Sequence, residues 1–159
     1  MPRVPAVAPW VAPRRDQRRI LEGAAVASVL SGAPSVVTAL AGGSARAAVW
    51  NAIDATRAIG SLTPSGRPGF VRGAVVHVVI SVGAAEVLGY LLPRERSIAW
   101  GALGGLLLGV INLGVIAPRF YPLVAELELA PQIADNIAFG IVFAAVADRE
   151  PIATEWLAS

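Results

Sequence analysis

Four long apolar stretches, roughly 20–41, 71–92, 98–116 and 131–147, constrain this chain more than any other feature; each is bounded by arginine, proline or glycine. A helix needs about 20 apolar residues to cross the hydrocarbon of a bilayer, and four such stretches fill about half of the chain. The expected fold is all-α: a transmembrane four-helix bundle with short interfacial helices in its outer loops. Composition agrees. Charged residues make up 15% of the 159 residues and mean hydropathy is +0.64, whereas ordinary soluble domains carry about 25% charged residues.

All thirteen basic residues are arginine. A pI near 9.9 alone would suggest nucleic acid, but these arginines are spread along loop ends, which argues for membrane anchoring and against a nucleic-acid partner. Arg14, Arg15, Arg18 and Arg19 directly precede the first span, so the positive-inside tendency puts the N-terminus in the cytoplasm. Four spans return the C-terminus there. The inner side then carries eight arginines (3, 14, 15, 18, 19, 94, 96 and 149) and the outer side five (46, 57, 67, 72 and 119). A competing reading makes Arg14–Ala48 a cleaved secretory signal. Its apolar part, about 22 residues, exceeds the usual 7–15 and carries Glu22 and Pro34, which favours a span. The expected organisation is a disordered basic N-terminus over 1–19, a membrane domain over 20–147 and a cytoplasmic tail over 148–159, in which Trp156 touches the surface.

The loops differ in kind. The tight Pro93–Ser97 turn predicts that the second and third spans are antiparallel neighbours. Ser44 is a candidate N-cap for a short helix through Ile59, with Trp50 flanked by Arg46 and Asp54, and such a helix lies flat at the outer interface. Gly60–Gly69 reads as a flexible return. Pro118–Ala130 places Arg119, Phe120 and Tyr121 at headgroup level.

Small residues recur every four positions on three spans: Gly23, Ala27, Ser31 on the first; Gly73, Ser81, Ala85, Gly89 on the second, with His77 in the same row; Ser97, Gly101, Gly105, Gly109 on the third. Four residues is just over one helical turn, so each row forms a groove on one face. Apolar side chains gain nothing by leaving lipid for one another, so membrane helices associate through close backbone packing, which small residues permit. The first and third spans share the pattern Ile20-Gly23-Ala24-Ala27-Ser31 and Ile98-Gly101-Ala102-Gly105-Gly109, which suggests two duplicated helical hairpins related by an axis along the membrane normal.

Ionisable groups inside spans are costly in hydrocarbon and therefore candidates for function. His77 lies about 9 Å below the outer end of the second span at 1.5 Å per residue. By the same count Thr38, Asn112, Asp135 and Asn136 fall in the same outer layer, and a buried His77 paired with Asp135 or Asn136 is expected. This layer reads either as interhelical glue or as an ion or proton relay. Glu86, about half a turn around the helix from His77, reads as a second buried carboxyl facing Ser28 or Ser31, or as a lipid-facing group reaching toward Arg94 or Arg96.

Other chemistries are discounted. Without cysteine there is no disulfide, thiolate metal site or Cys nucleophile. One histidine cannot supply a bis-His haem or a zinc cluster, so neither metal nor cofactor is expected. Gly101–Gly105 lacks the lysine and hydroxyl of a phosphate loop. Over about Ile20–Arg149, the glycine-rich spans and a lone His before a small-residue run resemble small bacterial four-helix inner-membrane proteins of unassigned activity; the resemblance implies no reaction. The expected function is that of a non-enzymatic structural or accessory component of the inner membrane, packed against a second copy or within a larger membrane complex. The alternative is a small oligomeric transporter or channel using the His77 layer.

Overall fold

The structure, a computed structural model, describes residues 15–43 and 45–149. The proline-rich residues 1–13, the Ser44 cap and the tail bearing Trp156 lie outside the described residues. In chain order the helices are α1 (Gln17–Leu30), α2 (Ala33–Ala41), α3 (Ala45–Ile59), which runs into a 3-10 turn at Gly60–Leu62, and α4 (Phe70–Leu91). Next comes α5 (Ser97–Ile111), which passes through a π turn at Asn112–Ile116 into α6 (Ala117–Phe120), and then α7 (Pro122–Ala125) and α8 (Leu129–Ala147). No strand occurs among the described residues. Four segments are long and apolar enough to cross a membrane: Gln17–Ala41, Phe70–Leu91, Ser97–Phe120 and Leu129–Ala147. The expected disordered stretch over 1–19 is corrected at its end, because α1 begins at Gln17 and the Arg15 side chain is already buried.

Two of these segments are interrupted, each for a reason written in proline. Pro34 is the second residue of α2 and has no N–H to return to Leu30, so the first segment breaks at Ser31–Gly32. Pro118 similarly leaves the Gly114 carbonyl without its helical partner. The ladder widens just before it, and the Ala117 N–H donates to the Asn112 carbonyl, five residues back.

Helix α8 lies between α5 and α1, and α4 packs on α1. The expectation that α4 and α5 lie side by side is corrected: they meet chiefly where Leu88 and Leu92 reach Gly104. The Pro93–Ser97 turn fixes only where α5 begins. The glycine face of α5 then finds closer backbone approach against α8 than the bulk of Leu88 and Leu92 permits against α4. Both within-hairpin pairs, α1 with α4 and α5 with α8, are made. Of the two pairs between hairpins, α1 with α8 is extensive and α4 with α5 is slight, so the contacts do not repeat symmetrically.

The interior is built from small residues. A methyl group at Gly101 would overlap the Gly140 carbonyl oxygen, one at Gly105 that of Asn136, and one at Gly140 that of Gly101. The two backbones are therefore in direct contact. Gly109 continues the row against Asn136 and Ile133. On the other side of α8, Phe143 fills the notch over Gly23, Ile20 lies on Gly89, and Ala27 and Ala85 are fully buried in the same cluster. Ser31 and Ser81 are buried as well. At the far end Gly73 meets the Thr56 carbonyl, seating α3 across the start of α4.

One ion pair ties three helices together. The Arg15 guanidinium, 3% exposed, donates to both oxygens of Asp148 at 2.7 and 2.8 Å. Its Nη1 also donates to the Gly89 and Leu92 carbonyls at 3.1 and 2.8 Å, at the C-terminal end of α4. Those carbonyls have no partner within their own helix and sit at the negative end of its dipole. The start of α1 and the ends of α4 and α8 therefore share one end of the molecule, hereafter the clamp end.

Gly105→Ala should lower resistance to unfolding in detergent by about 1–3 kcal/mol, the usual cost of overpacking a tight contact. Gly83→Ala, with nothing within 4 Å of the added methyl, should be neutral or stabilising. Arg15→Met should cost about 3–5 kcal/mol by stranding the Asp148 carboxylate. In a double-mutant unfolding cycle, adding Asp148→Leu should recover part of that loss.

Candidate functional site

The break in the first segment gathers the polar groups of the middle of the molecule. Where α1 stops, its last carbonyls lack helical donors; where α2 starts, its first N–H groups lack acceptors. The Ala27 carbonyl is taken by the Ser31 N–H at 2.9 Å. The Ser28 carbonyl receives the ring of His77, reaching across from α4, with Nε2 at 3.0 Å. A carbonyl oxygen only accepts, so Nε2 carries the proton. On the other lip, the Asp135 carboxylate of α8 accepts from the Ser35 N–H at 2.9 Å and from the Ser35 hydroxyl at 2.5 Å.

The two caps are electrostatically matched to the helix ends they cover. A ring N–H faces the negative end of α1, and a carboxylate faces the positive end of α2. Both side chains are half-buried. The expected direct pairing of His77 with Asp135 or Asn136 is corrected accordingly. The unsatisfied main-chain groups at the break, which the sequence does not display, take both side chains first.

The rest of the expected layer does not join one network. Thr38 is exposed, and its hydroxyl donates to the Pro34 carbonyl of its own helix at 2.9 Å. The Asn136 side-chain amide donates to the Gln132 carbonyl at 2.8 Å. Its main-chain carbonyl forms the wall against Gly105. Asn112 opens the π turn and contributes its main-chain carbonyl there. Glu86 is corrected from a buried carboxyl to a half-buried one. It accepts from the Gln17 side-chain amide near the clamp end, and its row on α4 is turned aside by the inward row of Ser81, Ala85 and Gly89.

Sequence reasoning missed Arg15, Asp148 and Ser35 as partners. Arg15 stands in a group of four arginines read together as an orientation signal, and Asp148 opens the charged stretch Asp148-Arg149-Glu150 after the last apolar segment. A charge of each sign at the same expected face was the available clue. Among the described residues no group of three histidine or carboxylate side chains could hold a metal ion. Two surface depressions lie elsewhere, one at Arg94–Ala102 and one between Asp54, Pro68 and Leu127. No known protein family, curated protein or solved structure matches the chain.

The caps can be tested directly. Asp135→Leu and His77→Leu should each cost about 0.5–2 kcal/mol, the usual worth of a helix cap. Amide exchange at Ser35 should accelerate in the Asp135 variant. Asp135→Asn, which keeps an acceptor oxygen, should lose less.

Proposed function

We propose that the chain is a non-enzymatic integral membrane protein, a structural or accessory component that crosses the inner membrane four times. It packs against a second copy of itself or within a larger membrane complex. One observation carries this reading. The ionisable side chains His77, Glu86 and Asp135, the natural candidates for transport chemistry, are each engaged by another part of the same chain. Among the described residues no buried side-chain nitrogen or oxygen lacks a partner. A relay needs a group free to change partners; a scaffold needs every group satisfied.

The exposed surface supports membrane residence. Val71, Val75 and Val79 on α4, and Leu103 and Leu107 on α5, each stand more than half exposed. In water such a face would drive aggregation; in a bilayer it meets acyl chains. The clamp end carries Arg15, Arg18, Arg19, Arg94, Arg96 and Arg149, which supports placing it on the cytoplasmic side. Both ends of the described chain would then face the cytoplasm.

A small ion or proton transporter remains the second reading, favoured by the interruption itself. Broken helices whose free ends face polar groups line the binding sites of many transporters. The two readings separate experimentally. Under the first, His77→Asn and Glu86→Gln leave abundance and co-purifying partners from native membranes unchanged. Proton or cation flux in proteoliposomes that disappears with His77→Asn, while assembly survives, would overturn it.

A further inference from the structure

The turn between α4 and α5 carries a surface depression of about 520 Å³, lined by Arg94, Arg96, Ser97, Ile98, Ala99 and Ala102. Its composition is ordered along the helix axis. Arg94, Arg96 and Ser97 are the polar members of its lining, and Ile98, Ala99 and Ala102 the apolar ones. Ala102 lies five residues, or about 7.5 Å, beyond Ser97 along α5. Arg94 and Arg96 are exposed. Three other arginines at the clamp end are held by carboxylates: Arg15 by Asp148, Arg18 and Arg19 by Glu22. No ion pair among the described residues includes Arg94 or Arg96. Glu95 stands between them in the chain and does not line the depression.

We infer that this depression binds the headgroup of an anionic phospholipid, the phosphate between Arg94 and Arg96 and the start of one acyl chain along Ile98, Ala99 and Ala102. The inference rests on the membrane-spanning reading above. A cationic mouth over an apolar wall matches a ligand that is anionic at one end and hydrocarbon at the other. Basic pockets at helix ends select anionic headgroups for the same reason. A soluble phosphate would satisfy the arginines and leave the apolar wall uncovered.

The test uses the full chain in phosphatidylcholine nanodiscs, with Trp10, Trp50 and Trp156 replaced by phenylalanine. Trp100, on the opposite face of α5, is replaced likewise, and Ile98→Trp, at a lining position that is 54% exposed, is then the single reporter. Brominated phosphatidylglycerol should quench it at lower mole fraction than brominated phosphatidylcholine. The expected preference is roughly five-fold per arginine, the fold-change equivalent of about 1 kcal/mol for each basic side chain at an anionic surface. Arg94→Gln with Arg96→Asn should remove the preference. Asparagine is chosen at 96 because φ there is 54°, a conformation it tolerates. Glu95→Gln should strengthen the preference, a result no misfolded variant would give. Equal quenching by the two lipids, or a preference unchanged in the arginine variant, overturns the site alone. Displacement of the brominated lipid by inorganic phosphate as effectively as by unlabelled phosphatidylglycerol makes it a simple anion site and overturns the lipid assignment. No quenching by either lipid removes the membrane reading and the site together.

Discussion

An interrupted helix leaves main-chain donors and acceptors without partners of their own, and the arrangement of the α1–α2 segment answers that constraint. Pro34 makes the interruption unavoidable. Once it exists, each lip needs a partner of the right polarity from a different helix. His77 supplies one from α4 and Asp135 the other from α8. The break is thus a junction through which the first segment is registered against its two neighbours. Half-buried hydrogen bonds of this kind specify which helices meet more than they add to overall stability.

The packing around that junction inverts the habit of a water-soluble core. Large side chains stand outward and the interior is lined by glycine and alanine, with Phe143 and Ile20 the largest fully buried groups. Close contact between α5 and α8 comes from backbone on backbone at Gly101, Gly105 and Gly140. Dispersion between two such surfaces falls steeply with separation. The contact is therefore intolerant of a single added methyl, whereas the outward residues are free to vary in size. Phe143 works in the opposite sense, as one large knob closing the space left by Gly23 and Gly89.

The four apolar segments were legible in the sequence, because length and hydropathy alone determine them. So were the rows of small residues, since a four-residue spacing needs no knowledge of the partner. Which helix each row faces was not legible. The Gly101–Gly109 row could have met α4 through the short turn, and meets α8 because Gly140 lets the backbones touch. The polar groups divided in the same way. His77 and Asp135 stood out as ionisable residues within apolar stretches, but their partners are main-chain atoms of Ser28 and Ser35, and main-chain atoms are identical at every position of a sequence. Arg15 and Asp148 were hidden by distance, since 133 residues separate them.

That separation sets an order of events during synthesis. At about 5–20 residues per second, roughly 7–27 s pass between the emergence of the guanidinium at position 15 and that of the carboxylate at 148. Throughout that interval the Arg15 guanidinium lacks the carboxylate that holds it in the folded chain, and α8 arrives at a position that already carries a positive charge.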